Sequence, residues 1–505
     1  MKVVDHILWW GTGPSIGVEE RFSLRGWTIV ENQTTEGLEP ALLSVARLAI
    51  INYPIADDLA AAVYRQLPLL IKHGVLVLVV GGAPTEIRGT TLPAIDAVYP
   101  WDEGVRLVPS LKGVHFDTVV CCHPGRRWHH FDLQQKGRFE KLGPEDELLV
   151  RRAFQEAEEV HLHILSGGRS GSRVFIAHEK RSGKDSSIAH WRLPRLVKLG
   201  DRAEVSREIK AMEDVSPFVP FELRPNLEIS IQGFRRAIYV ADFVEMSESL
   251  LNAARNRRAE SAISNLFYRT LGRWRDRGRQ CPMVSGSLTA AAERLDMMHP
   301  KKIQKVYLES LRMEQAEFVA AWEKLASIKF PYRAATIHGD LHGENVRVRG
   351  DDAILIDLGG VRGDTLPGRE APLCFDVAML EVALVFAYRG IEDGEDEFEQ
   401  PEWKTEIEPF YELHAITNSP SIDAPPNPES WLFGCLQRIR AFGIYDQSSP
   451  YEYPIALVIA LWRWCKFAPS ESEADRGRRV VALELGYRLM EEIVRKHDAE
   501  GSEDS

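Results

Sequence analysis

The stretch Ile337-His338-Gly339-Asp340-Leu341-His342-Gly343-Glu344-Asn345-Val346, followed by Ile354-Leu355-Ile356-Asp357-Leu358-Gly359, constrains this chain more than any other. Asp340 offers a carboxylate placed to accept or orient a hydroxyl proton. Asn345, five positions later, offers a neutral oxygen ligand, and Asp357 offers a carboxylate at the end of a short apolar run. A base, an amide oxygen and a second carboxylate are what phosphoryl transfer from magnesium-bound ATP requires. Magnesium takes oxygen ligands and usually keeps several waters, so one Asn and one Asp suffice.

The segment resembles the catalytic loop of the aminoglycoside phosphotransferase and choline kinase group, a branch of the protein-kinase-like fold. That group carries His-Gly-Asp-Leu-His-x-x-Asn and then an Asp-bearing strand end, and every fixed position is present here. The resemblance implies Asp340 as catalytic base and Asn345 and Asp357 as ligands of Mg2+, with His338 and His342 hydrogen-bonding the loop. A zinc reading of the two histidines lacks a Cys or third ligand at metal spacing. Asp357-Leu358-Gly359 stands where protein kinases have Asp-Phe-Gly, and no Ala-Pro-Glu follows before Phe375. Both departures favour the small-molecule-kinase branch. Asp376 resembles the structural Asp that braces the catalytic loop in this family. It also reads as the N-cap of a helix Val377 to Tyr388, and the two readings are compatible.

The chain has 505 residues, room for two to four domains. A net charge of −12 argues against a protein built to coat nucleic acid. Six cysteines without a C-x-x-C pair read as reduced thiols, not a disulfide framework. No secretory signal is visible, and the most apolar late run, Ile455 to Trp462, is too short to span a bilayer. A cytoplasmic protein with no membrane partner is the expectation.

Residues 1–140 read as a doubly wound α/β domain with a parallel sheet. Expected strands are His6 to Trp10, Trp27 to Val30, Leu48 to Ile51 and Val75 to Val80, with helices Leu38 to Ala46 and Ala56 to His73 between them. Gly74 reads as a helix C-cap, and Phe116 to Cys122 as a further strand beside His123, His129 and His130. The order resembles a response-regulator receiver or flavodoxin-like domain. A receiver needs acidic residues after its first strand and an Asp ending its third. Here those positions hold Trp9-Trp10-Gly11 and Asn52-Tyr53-Pro54, so aspartyl phosphorylation is not expected. Gly11 to Gly17 lacks the glycine spacing of a dinucleotide loop, and Pro14 interrupts it. A regulatory or docking role is the expectation for this domain.

Residues 141–250 read as a small lobe. A charged helix Glu145 to Glu159 leads into a hairpin whose turn holds Gly167, Gly168 and Gly171, glycines that let backbone N–H groups approach phosphate oxygens. Lys198 then sits inside the apolar strand Leu193 to Leu199, a costly place for an unpaired ammonium. Kinase-like enzymes set such a Lys on the ATP phosphates and pair it with a Glu of the next helix. That helix, Ala203 to Asp214, carries Glu204, Glu208 and Glu213; Glu208 is chosen for its central place, with the other two left open. The strand Ala237 to Met246 would run into an adenine-binding hinge at Glu245 and Met246, acting through backbone atoms.

Residues 251–505 read as a helical large lobe. The run Arg255 to Arg279 is arginine-rich and reads as a solvated helix face. A long helix Ile303 to Ala326 feeds the catalytic loop. The acidic insertion Glu392 to Glu399 is a solvated loop or a receptor for a cationic substrate. Ala424 to Pro428 is a loop; helices Tyr453 to Phe467 and Arg478 to His497 follow, and the tail from Asp498 is expected without fixed structure.

The expected activity is ATP- and Mg2+-dependent transfer of a phosphoryl group to a hydroxyl of an unidentified small molecule or protein, regulated by the N-terminal domain. The arrangement is also similar to kinase-like domains of bacterial signalling and conflict systems. A catalytically inactive nucleotide-binding scaffold and a nucleotidyl transferase on the same fold are the alternatives.

Overall fold

The computed structural model describes residues 5–24, 27–31, 38, 46–72, 75–81, 105–108, 110–111, 131–137, 141–154, 157–165, 172–182, 189–232, 236–363, 370–386, 403–417, 431–468 and 473–503. Gly74, the run 116–130, Gly167, Gly168 and Gly171, the insertion 392–399 and the loop 424–428 lie outside them. So does the helix expected at Leu38 to Ala46, apart from Leu38 itself and Ala46, which opens a strand.

The chain begins with a parallel sheet of β1 (Asp5–Gly11), β2 (Trp27–Glu31), β3 (Ala46–Asn52), β4 (Leu76–Val80) and β5 (Val105–Val108). The strands run in the order β2-β1-β3-β4-β5, the doubly wound arrangement of flavodoxin-like folds. Successive side chains of a strand point to opposite faces. Leu8, Trp10, Ala49, Ile51, Val77 and Val79 therefore pack on one side, against Leu59, Val63, Leu67 and Leu70 of the helix Asp57–Lys72. Ile7, Trp9, Leu48, Ile50, Leu78 and Val80 pack on the other, with Val18 and Phe22. Burial on both faces explains why these strands read as unbroken apolar runs. The helix carrying Val18 and Phe22, Ile16–Leu24, was not expected; two buried residues in nine leave little periodic signal.

A mixed sheet follows. Its strands are β6 (Asp132–Lys136), β7 (Glu159–Ile164), β8 (Arg173–Ser182), β9 (Ala189–Trp191), β10 (Arg195–Asp201), β11 (Leu227–Gln232) and β12 (Arg236–Asp242). The order is β11-β12-β10-β8-β7-β6, with β9 on β8; only β6 and β7 pair in parallel. The helix Pro144–Ala153 lays Leu149, Val150 and Ala153 on the core with Phe175, Val197, Leu199, Ile238 and Val240. It stops short of the expected Glu159, which instead opens β7. The Glu159 carboxylate is held across the sheet by Gln134 at 3.0 Å, His161 at 2.7 Å and Lys180 at 3.4 Å.

By compactness the chain divides into one unit of Met1–Ile209 with Asn226–Phe243 and another of Lys210–Pro225 with Val244–Ser505. The second is mainly helical, and the mixed sheet with its Lys198-bearing strand belongs to the first. A short antiparallel sheet of Glu248–Ser249, Val346–Arg349 and Asp352–Leu355 follows the segment Ile337 to Asn345.

Several elements of this unit depart from expectation. The long helix breaks into Lys305–Ser310 and Gln315–Ser327, because Arg312 turns left-handed (φ 55°) and Glu314 with Glu317 forms a capping box. The arginine-rich run is not wholly solvated: Arg275 is buried on Asp446, which also takes Arg279 at 2.7 Å. The last helix, Glu473–Glu503, runs through the supposed tail; Tyr451 hydrogen-bonds Glu500 and stacks edge-on against His497. The helices Cys374–Phe386 and Glu452–Arg463 are buried along nearly their whole length, which makes them the centre of this unit.

Glu452 is fully buried there and accepts the Ser448 N–H at 2.7 Å. Burial raises its carboxyl to about 7, against the downward pull of that hydrogen bond. A carboxyl raised in the folded state binds more protons folded than unfolded. Stability is therefore greatest below its unfolded value near 4.5 and falls as pH rises toward 7. Glu452→Gln should flatten that slope, which is worth at most about 3 kcal/mol. Thermal melting of both proteins from pH 4.5 to 8 checks this; parallel curves would contradict it.

Candidate active site

Lys198 lies in β10 with Tyr239 of β12 opposite it in register and Val174 of β8 on its other side. Its ammonium is 2.7 Å from Glu208 of the helix Arg202–Val215. Tyr239 donates its hydroxyl to the same carboxylate at 2.8 Å. Lys198 and Glu208 are both buried, so each needs the other; an uncompensated charge there would cost several kcal/mol. Of the three glutamates on that helix, Glu208 is the one that meets Lys198. The strand expected to reach Met246 is shorter. β12 ends at Asp242, and Glu245 and Met246 form an exposed turn with Met246 left-handed (φ 49°). Arg347 holds the next residue, its Nε 3.1 Å from Ser247 Oγ.

The segment Ile337 to Asn345 is organised by a buried carboxylate. Asp376, in the first turn of the helix Cys374–Phe386, accepts the His338 N–H at 2.8 Å and the Gly339 N–H at 2.8 Å. It is thus a brace for the loop. His338 is fully buried and bridges two parts of the site: Nδ1 accepts the Asp340 N–H at 3.3 Å, and Nε2 faces the Ile356 carbonyl at 3.4 Å. His342 caps the turn Gly343–Asn345 by accepting the Glu344 N–H at 3.3 Å. Gly339 has φ +74°, and a Cβ there would sit 2.2 Å from the Gly360 carbonyl oxygen. A Cβ on Gly360 would sit 2.5 Å from that of Asp340. The loop and the Asp357 turn therefore pack backbone to backbone, which explains glycine on both sides.

Asn345 is buried and donates its amide nitrogen to the Asp340 carbonyl at 3.0 Å. Asp357 is exposed and left-handed (φ 55°), with Oδ1 accepting the Gly359 N–H at 3.2 Å. A left-handed Asp at a strand end is the kind of strained backbone that clusters at functional sites. Among the described residues no group of three or more His, Cys, Asp or Glu side chains could hold a metal. One amide oxygen, one exposed carboxylate, waters and nucleotide phosphates suit Mg2+, which asks for few protein ligands.

Arg463 was not anticipated. It lies at the end of the helix Glu452–Arg463, and its Nη2 donates to Asp340 Oδ1 at 2.8 Å. Asp340 Oδ2 is 3.8 Å from His342 Nε2, too long for a hydrogen bond. Burial pushes the Asp340 carboxyl up, but Arg463, His342 and His338 together outweigh it and hold it down to about 2. Burial likewise lowers the His342 imidazole despite the Asp340 charge beside it. No local pattern marks Arg463; an arginine ending an apolar helix reads as an ordinary C-terminal charge.

At the sheet's β1/β3 switch point, where flavodoxin-like folds bind ligands, Asn52 Nδ2 donates to the Thr12 carbonyl at 2.7 Å. A Cβ on Gly11 would lie 2.1 Å from the Asn52 carbonyl oxygen. The amide at the end of β3 thus ties down the loop after β1.

Comparison with known proteins adds little to this. No family model matches the chain, and no curated protein matches it. Among solved structures it is similar to a candidate fructosamine-3-kinase from Haemophilus somnus 129PT, with 10% identity and a TM-score of 0.32, over 66% of this chain and 90% of that one. An overlap that loose says nothing about activity. Among the described residues no helix is long and apolar enough to cross a membrane.

Proposed function

We propose that the chain is an ATP- and Mg2+-dependent phosphotransferase that moves the γ-phosphoryl group to a hydroxyl acceptor. The observation that carries this reading is the loop from Ile337 to Asn345, whose backbone Asp376 clamps while Asp340 and Asn345 are presented together. In this reading Lys198, oriented by Glu208, neutralises nucleotide phosphates, and Gly167, Gly168 and Gly171 supply backbone donors to them. The turn at Glu245 and Met246 offers backbone atoms to adenine. Asn345 and Asp357 would hold Mg2+, which shields phosphate charge when bound. Asp340 orients the acceptor hydroxyl and takes its proton as the acceptor oxygen bonds the γ-phosphorus and the bond from that phosphorus to the bridging oxygen breaks, releasing ADP. The resemblance to aminoglycoside phosphotransferases and choline kinases supports the same assignment, with the domains divided near residues 140 and 250 and the first of them regulatory.

Incubation with γ-labelled and α-labelled ATP separates this from the two competing readings. A phosphotransferase passes only the γ-label to an acceptor in lysate protein or metabolite fractions. A nucleotidyl transferase passes the α-label, and a scaffold passes neither. Lys198→Met should weaken ATP binding at least about tenfold, the worth of one charge-assisted contact. Unchanged binding would remove Lys198 from its role.

A further inference from the structure

The two carboxylate oxygens of Asp340 are placed differently. Oδ1 takes the Arg463 Nη2 hydrogen bond at 2.8 Å. Arg463 ends a helix that is buried along nearly its whole length, and its Nη1 donates to the Met379 sulfur at 3.0 Å, so Oδ1 is held from a packed element. Oδ2 accepts no hydrogen bond among the described residues. It faces His342 Nε2 across 3.8 Å. The other side of the His342 ring settles what Nε2 offers. Nδ1 stands 3.3 Å from the Glu344 backbone N–H, which can only donate, so Nδ1 is the acceptor and carries no proton. The neutral ring then holds its proton on Nε2. A donor thus stands across from an acceptor, too far apart to bond each other. One oxygen about 2.8 Å from each would complete both bonds. The His342 and Asp340 side chains are 35% and 42% exposed, so such an oxygen can enter from solvent.

A hydroxyl donates and accepts at one atom. An ether oxygen has no proton to give Oδ2, and an ammonium has no lone pair to accept from Nε2. We infer that the acceptor hydroxyl is received between Asp340 Oδ2 and His342 Nε2, which makes His342 a second catalytic residue beside Asp340. This rests on the phosphotransferase reading above and adds to it the group that fixes the acceptor oxygen. The hydroxyl donates to Oδ2 and accepts from Nε2–H with one lone pair, and its second lone pair is left for the γ-phosphorus. As that oxygen bonds the γ-phosphorus, the bond from phosphorus to the bridging oxygen breaks and ADP leaves. The hydroxyl proton passes to Oδ2 and then to solvent. His342 keeps its own proton throughout, so it orients the oxygen and transfers nothing.

Two substitutions separate this role from the turn cap that His342 also provides. His342→Asn keeps an acceptor for the Glu344 N–H where Nδ1 stands and removes the donor at Nε2. His342→Gln carries an amide donor out to the place of Nε2 and gives up the cap. The assay uses the full chain, Mg2+ and γ-labelled ATP, with water and then glycerol as the hydroxyl. His342→Asn should lower kcat about tenfold, the worth of one hydrogen bond, and leave the KM for ATP within about twofold. His342→Gln should recover most of that loss. A cap alone predicts the reverse order, with Asn near wild type and Gln slow. His342→Asn as fast as wild type overturns the inference. So does His342→Gln no faster than His342→Asn, or a loss that falls on the KM for ATP.

The same assay keeps the two readings separable. Label released by wild type and lost in Asp340→Asn, while His342→Asn keeps pace with wild type, overturns the role of His342 and leaves the phosphotransferase reading standing. Wild type that binds ATP yet passes no γ-label to water, glycerol or lysate fractions removes the phosphotransferase reading, and the inference with it.

Discussion

Asp340→Asn reduces γ-phosphoryl transfer by at least about 100-fold and leaves ATP affinity within a few-fold, because a positioned base contributes roughly 100- to 10,000-fold to such a step. The substitution keeps the shape of the side chain and removes its charge. The amide cannot take the hydroxyl proton, and Arg463 loses the anion 2.8 Å away. The Asp340 backbone is held independently, since its N–H is bonded by His338 and its carbonyl by Asn345. The loop should therefore keep its form. Single-turnover transfer of γ-label, read beside equilibrium binding of a fluorescent ATP analogue, checks both halves. A variant as fast as wild type would mean that Asp340 is not the base. A variant that has lost ATP binding would mean that the charge acts on the nucleotide. Because Arg463 and the neighbouring histidines hold the Asp340 carboxyl at about 2, the base is already ionised throughout the neutral range. Any limb in the rate profile between pH 5 and 8 must then come from another group.

Arg440→Met, and Glu381→Met, each lower the stability of the helical C-terminal unit by about 3–5 kcal/mol, and the double variant costs less than the sum of the two. Glu381 and Arg440 are almost completely buried, 0% and 1% exposed. Arg440 Nη2 reaches Glu381 Oε1 at 2.7 Å and the Phe410 carbonyl at 2.6 Å, while Tyr453 donates to Glu381 Oε2 at 2.7 Å. Burial and the Glu381 charge drive the Tyr453 phenol well above its ordinary value, so it stays a donor at any working pH. Removing one member strands a charge in a medium that solvates it poorly; removing both leaves an apolar gap that methionines fill. For a region of this size the single variants should melt roughly 10 °C lower. Calorimetry on the full chain measures it, and single variants within about 1 kcal/mol of wild type would show that water reaches the pair. Transfer activity per folded molecule should be unchanged, which distinguishes this network from the catalytic loop.

The four strands first read in the N-terminal region fall where the apolar runs placed them, because a strand buried on both faces carries its signal locally. The end of β3 at Asn52, and so the absence of an acidic acceptor there, was equally readable. Lys198 stood out as a charge inside an apolar strand, and Glu208 as a carboxylate one helix later. The boundaries that failed did so where a side chain from elsewhere decided them. Glu159 became a strand residue through partners on neighbouring strands, and the last helix lengthened with Glu500 bonded to Tyr451.

By itself the sequence determined that Asp340, Asn345 and Asp357 lie close together, since they fall in one short run whose spacing is set along the backbone. It also marked the N-terminal strands β1 to β4. Only the tertiary structure decided what surrounds Asp340. Arg463 is 123 residues away along the chain, and the pair of Arg440 with Glu381 is likewise a meeting of distant segments. A charged side chain looks the same in a sequence whether water or a buried carboxylate awaits it, and only the packing of helices says which.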